Sequence, residues 1–388
     1  MKPLEGVTVV ELSSYFAVPA CGRVLATQGA RVIKVEPPKG DVQRFFATPF
    51  GVPCSNEENM LFDTINGGKD FVSLDLRDPE DMKRFHQLLG QADVFLTNNR
   101  TKALAKMGLD YDSLKGRYPR LVCATFSGYG DKGAMKDAPG FDLVALFAET
   151  GFSKGMMVET EKSYPMGAAY GFGDIACGTM LAGAIGTALY RRAKTGEGDY
   201  VTSSLYGTGV WLTSILSALN VNGYEYPRTR QTCPPNSSPY RTRDGEWVSI
   251  TINEYDRYWG PLCTALGIPE LIDDERYNTK MAIHDPQNKI EALDHLERAF
   301  AQFDADDIVQ RLRAADIVVT KLADFKDNHE NPQALENRFM APITYPNGKQ
   351  TTLGQPPIRF NGMDEPEAAQ GKPVGADNAK VFQEFGIE

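Results

Sequence analysis

The sequence predicts an α/β protein, with a large domain on an open, mainly parallel Rossmann-like sheet and a smaller α+β domain. Short β-branched runs at 7–12 and 31–36 flank an apolar-periodic helix at 19–28, which makes a βαβ unit. Strand and helix signals then continue to alternate, as they do in parallel sheets. The length of 388 residues exceeds the size at which a single core usually stops growing, so at least two packing units are expected.

Particular residues mark the helix ends in the first part of the chain. Pro19 suits the first turn of the first helix, and Gly29 suits the position just past its end. Asp78 and Gly90 are the expected N-cap and terminator of a helix over 79–89. Further strands are expected at 71–76, 94–97, 121–126 and 200–204.

The composition and the predicted elements change in the rest of the chain. A long helix rich in small residues is predicted over 175–194, and its composition allows close approach by another helix. Further helices are predicted at 207–219, 256–266, 287–303 and 305–315, a linker or loop at 231–238, and strands at 247–252, 343–345 and 358–360. We therefore predict a large domain from 1 to 225, a small domain from 226 to 328, and a segment from 329 to 388 that returns to the large domain.

Composition excludes several classes of function. The net charge of -10 disfavours nucleic-acid binding, which needs clustered excess Lys and Arg. No run of about 18 uninterrupted apolar residues occurs, so we predict a cytoplasmic protein that is neither secreted nor membrane-spanning. The six cysteines form no CxxC pair and the four histidines no ligand pattern, so no metal site is expected.

Asp174 is the candidate catalytic residue. It follows Gly171 and Gly173 and precedes the small-residue helix, so its carboxylate is expected near unpaired backbone N–H groups at a helix N-terminus. The glycines leave room for a substrate carbonyl, and such a carboxylate can act as a covalent nucleophile. The same local pattern also fits an ordinary N-cap aspartate, and taken alone it is more often a cap.

Ordered segments along nearly the whole chain resemble the class III CoA-transferases, a family that also includes CoA-ester racemases. The segments, from Pro3 to Asp174, are these: Pro3 to Leu12, Leu25 to Asp41, Asn66 to Lys69, Ala92 to Arg100, Met107 to Leu109, Ser127 to Gly130, Pro139 to Asp142, and Gly173 with Asp174. Each segment is a weak signal, whereas all of them in this order are a strong one.

The resemblance implies a function for Asp174 and a substrate. In the family the matching aspartate attacks an acyl-CoA, and aspartyl anhydride and aspartyl-CoA thioester intermediates follow. Coenzyme A would then be a substrate, with no permanently bound cofactor. Resembling chains form homodimers of interlocked rings. The residues in segments that resemble the family's CoA site are Tyr15, Phe16, Ala17, Arg44, Lys69, Asn98, Asn99, Arg100 and Lys106.

Departures from the family pattern narrow the subclass. The usual Asn-Phe-Arg-Pro is Asn98-Asn99-Arg100-Thr101 here, so Asn99 replaces the aromatic residue that the family carries beside CoA. Formyl-CoA transferases carry a run of glycines where this chain has Pro234 to Tyr240. That stretch resembles more closely the transferases for 2-hydroxy acids and their enoyl products in anaerobic amino-acid fermentation.

Three other functions are considered beside CoA transfer, and each of them predicts a different feature. An α-methylacyl-CoA racemase resembles this family, but it carries a histidine where this chain has Phe141, and phenylalanine cannot exchange a proton. A dinucleotide oxidoreductase would need a glycine fingerprint after the first strand, where Ser13 to Val18 contain no glycine. A non-catalytic CoA-binding protein would be indifferent to loss of Asp174.

Overall fold

The computed structural model describes residues 1–158, 165, 169–361, 363 and 365–387. The chain divides into two compact units. The large unit comprises Met1–Phe152, Gly167–Ile215 and Asn328–Glu388, and the small unit comprises Ser153–Met166 and Leu216–Asp327. The predicted domain boundaries at 225 and 328 stay a prediction.

The helices and strands alternate through the first part of the chain. In chain order they are β1 (Thr8–Leu12), α1 (Ala17–Thr27), β2 (Arg31–Glu36), α2 (Met60–Asn66), β3 (Asp70–Ser73), α3 (Pro79–Leu89), β4 (Val94–Thr97), α4 (Thr101–Met107), α5 (Tyr111–Leu114), β5 (Val122–Ser127), α6 (Phe152–Gly155), α7 (Phe172–Thr195), β6 (Tyr200–Ser204), α8 (Leu205–Leu212), α9 (Ser214–Val221), β7 (Pro239–Arg241), β8 (Trp247–Thr251), α10 (Tyr255–Leu266), α11 (Pro286–Phe300), α12 (Ala305–Ala314), β9 (Val318–Lys321), α13 (Pro332–Glu336), β10 (Met340–Thr344), β11 (Gln350–Gly354) and α14 (Asn378–Phe385).

The large unit is built on one parallel sheet. Among the described residues its six strands lie in the order β3-β2-β1-β4-β5-β6, and every neighbouring pair is parallel. Val9 pairs with Val32 on one side and with Val94 on the other. This arrangement confirms the predicted open, parallel α/β sheet.

Successive residues of each strand pack against helices on opposite faces of that sheet. Val9 of β1 belongs to the core that includes residues of α1 and α7. Its neighbour Val10 belongs to a second core, which includes residues of α3 and α14. Strands buried on both faces read as continuous apolar runs, which explains the β-branched sequence of β1 and β2.

Helix α7 is a core helix of the large unit. Among the described residues it alone has the length and apolar composition of a membrane-spanning helix, and 44% of the stretch is buried. Its buried side chains, such as Leu181 and Ile185, pack in the core that α1 shares. Gly178 permits that packing, because a Cβ there would lie 2.3 Å from the carbonyl oxygen of Ala17.

The small unit has a core of its own. Strands β7, β8 and β9 form an antiparallel sheet, and residues of α10, α11 and α12 complete the core. The rings of Tyr240 and Phe300 stack there with centroids 4.5 Å apart. This unit mixes an antiparallel sheet with helices, as expected for a smaller α+β domain.

Two predicted elements are wrong. The stretch 207–219 lies in two helices, α8 and α9, separated at Thr213, whose hydroxyl donates to the carbonyl of Gly209 at 2.9 Å. A hydroxyl that bonds back in this way bends helices. Residues 358–360 form no strand, and the preceding Pro356 and Pro357 lack the N–H groups that a ladder needs. The strand partner of β10 is β11 instead.

Candidate active site

The candidate site lies at the carboxyl edge of the parallel sheet. The strand order reverses between β1 and β4, and in open α/β sheets ligands bind in the crevice outside the carboxyl ends at such a point. The loops that follow these two strands are joined there. The side chain of Asn98 accepts from the N–H of Ser14 at 3.1 Å and donates to its carbonyl at 2.7 Å.

The Ser14–Tyr15–Phe16 loop adopts an unusual backbone. Tyr15 has a φ of +65°, in the left-handed region that non-glycine residues rarely enter. The carboxylate of Asp41 accepts from the N–H of Tyr15 at 3.3 Å. The ring of Tyr15 meets Phe141 edge-on with centroids 5.2 Å apart, and the ring of Phe16 meets Phe46 edge-on at 5.1 Å.

Asp174 lies in the first turn of α7. The helix begins at Phe172, and its N-cap position is Gly171, whose φ of +75° suits glycine. The carboxylate is therefore not the N-cap, which corrects the simpler interpretation of the local pattern. Asp174 is 9% exposed, and within the described part of the chain no hydrogen-bond donor contacts its carboxylate.

Asp142 is the functional candidate that the sequence did not single out as a site residue. It begins a π-helical segment, Asp142–Ala148, and is 4% exposed. Its Oδ1 accepts from the N–H of Leu143 at 2.8 Å, and the backbone N–H groups of Gly171, Gly173 and Asp174 at the start of α7 lie close enough to lower its pKa. Among the described residues its buried Oδ2 has no hydrogen-bond partner. A carboxylate from a distant segment thus lies near the helix N-terminus.

Gly173 allows the two carboxylates to come together. A Cβ at this position would lie 3.0 Å from the Cβ of Asp142 and 3.0 Å from Leu146. Any larger residue would push the π-helical segment away from α7. The Gly-Phe-Gly-Asp pattern is therefore explained by close packing against Asp142 as well as by access for a substrate.

Burial controls the ionisation of both carboxylates. Burial, and in second place the nearby charge of Asp142, raise the pKa of Asp174 to about 7. Burial also raises the pKa of Asp142, although the backbone N–H groups around it act in the opposite direction. Asp174 therefore titrates close to neutral pH, where a group that changes protonation state can serve catalysis.

Two of the predicted CoA-binding cations are inside the protein. Lys69 is fully buried, with its ammonium 2.8 Å from Glu11 and 2.9 Å from the side-chain oxygen of Asn66. Arg44 is buried against Glu36 through two hydrogen bonds of 2.8 Å. Their charges are already paired away from solvent, and their predicted contact with CoA stays a prediction.

The remaining predicted CoA contacts separate into exposed and buried residues. Arg100 and Lys106 are exposed, Arg100 at the start of α4 and Lys106 in its last turn. Asn99 is half-buried and bonds through its N–H to the hydroxyl of Thr97 at 3.1 Å. Ala17 is 3% exposed and packs in the core, beside Gly178 of α7.

An aromatic group stands beside the start of α7. Phe46 meets Tyr170 at 6.3 Å and Phe50 at 6.0 Å, and Phe50 meets Tyr170 at 6.0 Å. Phe50 and Tyr170 are 59% and 66% exposed. Tyr170 directly precedes Gly171, so this apolar surface borders the segment that carries Asp174.

Curated proteins similar to this chain are CoA-transferases. The chain is 35% identical over 389 residues to (R)-2-hydroxy-4-methylpentanoate CoA-transferase of Clostridioides difficile, covering 99% of this chain and 96% of that protein. It is 37% identical over 388 residues to cinnamoyl-CoA:phenyllactate CoA-transferase of Clostridium sporogenes, covering 98% and 93%.

Solved structures and a family model agree with these relatives. The crystal structure of Rv3272 from M. tuberculosis matches with a TM-score of 0.84 and 29% identity, covering 98% of this chain and 99% of that one. A CAIB/BAIF family protein from Brucella suis matches with a TM-score of 0.83 and 28% identity, covering 99% of both chains. The family model CoA-transferase family III matches residues 4–378. The chain belongs to CoA-transferase family III and is an acyl-CoA:carboxylate CoA-transferase.

Proposed function

We propose that Asp174 is the covalent catalyst of CoA transfer between an acyl-CoA and a free carboxylic acid. The observation that carries the proposal is a buried carboxylate in the first turn of α7, beside the carboxylate of Asp142. Its raised pKa makes the ionised form more basic, which favours attack on a thioester carbonyl. Burial also keeps water away from the reactive intermediates.

The proposed reaction has four displacements on the Asp174 carboxylate. The carboxylate attacks the acyl-CoA carbonyl, which forms an acyl-aspartyl anhydride and releases CoA thiolate. The thiolate attacks the aspartyl carbonyl, which releases the first acid and leaves an aspartyl-CoA thioester. The acceptor carboxylate attacks that thioester and expels CoA thiolate again. The thiolate then attacks the acceptor carbonyl of the new anhydride, which releases the product thioester and restores Asp174.

The surroundings of Asp174 suit these steps. Each displacement passes through a tetrahedral oxyanion, and backbone N–H groups at a helix N-terminus can stabilise such a charge. The N–H groups of Gly171 and Gly173 also lie close enough to Asp142 to lower its pKa. We infer that Asp142 acts on the reaction by setting the ionisation and orientation of Asp174.

CoA itself is proposed to bind along the crevice between the ends of β1 and β4, as a substrate that leaves with the product. Arg100 and Lys106 are the exposed cations among the predicted contacts, and they can pair with phosphate groups of an anionic ligand. Asn98 and Asn99 lie on the same loop. Lys69 and Arg44 have no part in this proposal, because their partners are buried carboxylates.

We propose a 2-hydroxy acid and its enoyl counterpart as the acid pair. The names of two relatives contain (R)-2-hydroxy-4-methylpentanoate, cinnamoyl-CoA and phenyllactate. The aromatic group beside α7, formed by Phe16, Phe46, Phe50 and Tyr170, supports an acid with an apolar side chain. Assays should therefore favour phenyllactate and 2-hydroxy-4-methylpentanoate over oxalate and succinate as acceptors.

The proposal also includes a cytoplasmic homodimer. Three large side chains of the large unit, Tyr190, Trp211 and Ile215, are 67%, 68% and 75% exposed. Large contiguous apolar surfaces are typical of interfaces, and we propose that these side chains belong to one that the partner subunit covers. Light scattering at several concentrations tests the dimer directly.

Substitution of Asp174 tests the proposed function. Asp174→Asn keeps the shape of the side chain but cannot form an anhydride, so we expect kcat to fall on the order of 10⁴-fold in an acyl-CoA exchange assay. Asp307→Asn, an exposed acid in the small unit, is the control and should keep full activity. Near-normal exchange by folded Asp174→Asn protein would exclude Asp174 as the covalent catalyst.

The racemase alternative has its own test. Phe141 stands directly before Asp142, and its ring lies against Tyr15. A phenylalanine provides no proton acceptor, so incubation of an α-methylacyl-CoA in deuterated water without an acceptor acid should produce no rapid α-deuteration. Rapid deuteration that depends on Asp174 would support proton transfer instead of acyl transfer.

A further inference from the structure

The two consecutive rings of Tyr15 and Phe16 touch the two segments that carry the paired carboxylates. Tyr15 meets Phe141 edge-on, with an interplanar angle of 76°, and Phe141 directly precedes Asp142. Phe16 lies against Gly171, where a Cβ would come within 3.6 Å of its ring. Gly171 is the N-cap of the helix that carries Asp174.

The backbone that presents these rings is strained. Tyr15 has a φ of +65°, which is unfavourable for a residue with a Cβ. Such strain persists where surrounding structure enforces it, and it is found most often at functional sites. The strained backbone and the ring contacts of Tyr15 together indicate a functional role for this loop.

A buried set of polar side chains enforces the turn. Asp41 accepts from the N–H of Tyr15 with one oxygen, and its other oxygen lies 2.9 Å from the ammonium of Lys34. Lys34 also donates to the carbonyl of Ser13 at 3.3 Å. On the far side, Asn98 binds both backbone groups of Ser14. Three consecutive residues are thus held by side chains from three other segments.

The Lys34–Asp41 ion pair can hold the loop after β1 in a fixed position. Both side chains are fully buried, and Glu11 lies 3.1 Å from the same ammonium. Burial alone lowers the pKa of Lys34, but Asp41, Glu11 and Glu36 together raise it above its ordinary value. Lys34 stays charged, and breaking one partner of a buried pair is strongly unfavourable. The support therefore does not rearrange easily.

We propose that Tyr15 and Phe16 are positioning residues, which fix the separation and the burial of Asp142 and Asp174, and that the Lys34–Asp41 pair holds them in place. This inference rests on the proposed function of Asp174. In this inference the loop after β1 affects the reaction by positioning the two carboxylates. It does not need to contact CoA. A CoA contact would change binding of the donor, whereas a positioning residue changes the chemistry.

Tyr15→Gly removes the ring and leaves a residue that adopts a φ of +65° without strain, so the fold is kept. Phe141, which is already 55% exposed, then loses the ring that it packs against, and the segment of Asp142 that follows it is less firmly held against α7. The burial that raises the pKa of Asp174 should then decrease. We expect the acid limb of kcat/KM to move by roughly one pH unit toward lower pH. We also expect kcat to fall roughly tenfold to a hundredfold while KM for the acyl-CoA is unchanged.

Further variants distinguish a positioning role of Tyr15 from a contribution to folding stability alone. Tyr15→Phe keeps the ring on Phe141 and should rescue both kcat and the midpoint of the pH profile. Asp41→Ala should reproduce the shift of the midpoint, and Asp41→Asn, which keeps an acceptor oxygen for the Tyr15 N–H, should shift it less. The control is Asp63→Asn, a buried acid that instead contacts Tyr345 at 2.9 Å and Gly371 at 2.8 Å. It should lower stability and leave the midpoint where it is.

Two results would overturn the inference. If Tyr15→Gly raises KM for the acyl-CoA and leaves kcat and the midpoint unchanged, the loop is a CoA contact. If folded Asp41→Ala keeps the wild-type midpoint, the buried pair does not hold the loop. Neither result affects the role of Asp174, which fails only if Asp174→Asn keeps its exchange activity.

Discussion

At the scale of single residues, the pairing of Asp174 with Asp142 decides the chemistry. Burial is the larger cause of the raised pKa of Asp174, and the charge of Asp142 is the second. A second negative charge nearby disfavours ionisation of a buried carboxylate, so the charge of Asp142 makes Asp174 harder to ionise. The nucleophile is the ionised form, and kcat/KM should therefore fall as the pH drops below about 7.

Asp142→Asn tests this coupling. The substitution removes a negative charge that raises the pKa of Asp174, so that pKa falls and the acid limb of kcat/KM moves to lower pH. Asp137→Asn, an exposed acid on the preceding loop, should leave the midpoint unchanged. A pH profile for Asp142→Asn that matches the wild type, or moves to higher pH, would contradict the coupling.

The sequence predicted Asp174 and its place near a helix start but not its partner. The Gly-x-Gly-Asp pattern is local, whereas Asp142 meets the start of α7 from about thirty residues away along the chain. Lys69 and Arg44 were predicted to contact CoA, and the sequence around each of them does not reveal that both are paired inside the protein. Their partners, Glu11 and Glu36, lie on β1 and β2, and only the packed sheet brings these charges together.

At the scale of elements, the crossing of α1 and α7 positions the site. Gly178 lies one turn beyond Asp174, and a Cβ there would meet the backbone of α1 at 2.3 Å from Ala17 and 2.9 Å from Cys21. Separating these helices would also disturb Phe16, which directly precedes α1. The small residues of α7 thus explain both the tight crossing and the position of Asp174.

Gly178→Ala should lower the free energy of unfolding by roughly 1–3 kcal/mol, because backbone atoms of α1 must move. Gly183→Ala on the same helix has nothing within 4 Å of the new Cβ and should be neutral or stabilising by up to about 1 kcal/mol. Urea unfolding followed by circular dichroism compares the two. Equal stabilities would show that the close crossing is not a constraint.

Element boundaries were predicted well where a local signal exists. Strand β2 and helix α3 were found at their predicted residues, and Asp78 caps α3 by accepting from the N–H groups of Glu80 and Asp81. The π-helical segment at 142–148 has no such local signal, and apolar periodicity does not reveal it. Periodicity also does not reveal the left-handed turn at Tyr15, because contacts from other segments enforce that turn.

At the scale of the whole molecule, the chain end returns to the edge of the large sheet. Strand β3 is an edge strand, and two side chains at the start of α14 bind its free N–H groups. Asp377 accepts from Phe71 and Asn378 accepts from Ser73, both at 2.8 Å. An uncovered strand edge promotes association with other chains, so these contacts protect the sheet.

Replacing both residues in Asp377→Ala/Asn378→Ala protein should uncover this edge. We expect lower stability, since the buried N–H of Phe71 loses its partner, and concentration-dependent self-association. Glu384→Ala is the control on the same helix, because its ion pair with Arg31 is half-exposed and contributes less than about 1 kcal/mol. Analytical ultracentrifugation and thermal unfolding follow both effects. If the double variant and the Glu384→Ala control have the same stability and the same tendency to self-associate, these contacts do not protect the edge of strand β3.

The most direct measurement of the central claim is chemical trapping on Asp174. The protein is incubated with a productive acyl-CoA, treated with hydroxylamine, digested and analysed by mass spectrometry. A thioester or anhydride on Asp174 would be converted to an aspartyl hydroxamate, and we predict this modification in the peptide that contains Gly171 to Asp174. It should be absent without acyl-CoA and absent in Asp174→Asn protein. A productive donor that leaves Asp174 unmodified while another residue carries the adduct would contradict the account.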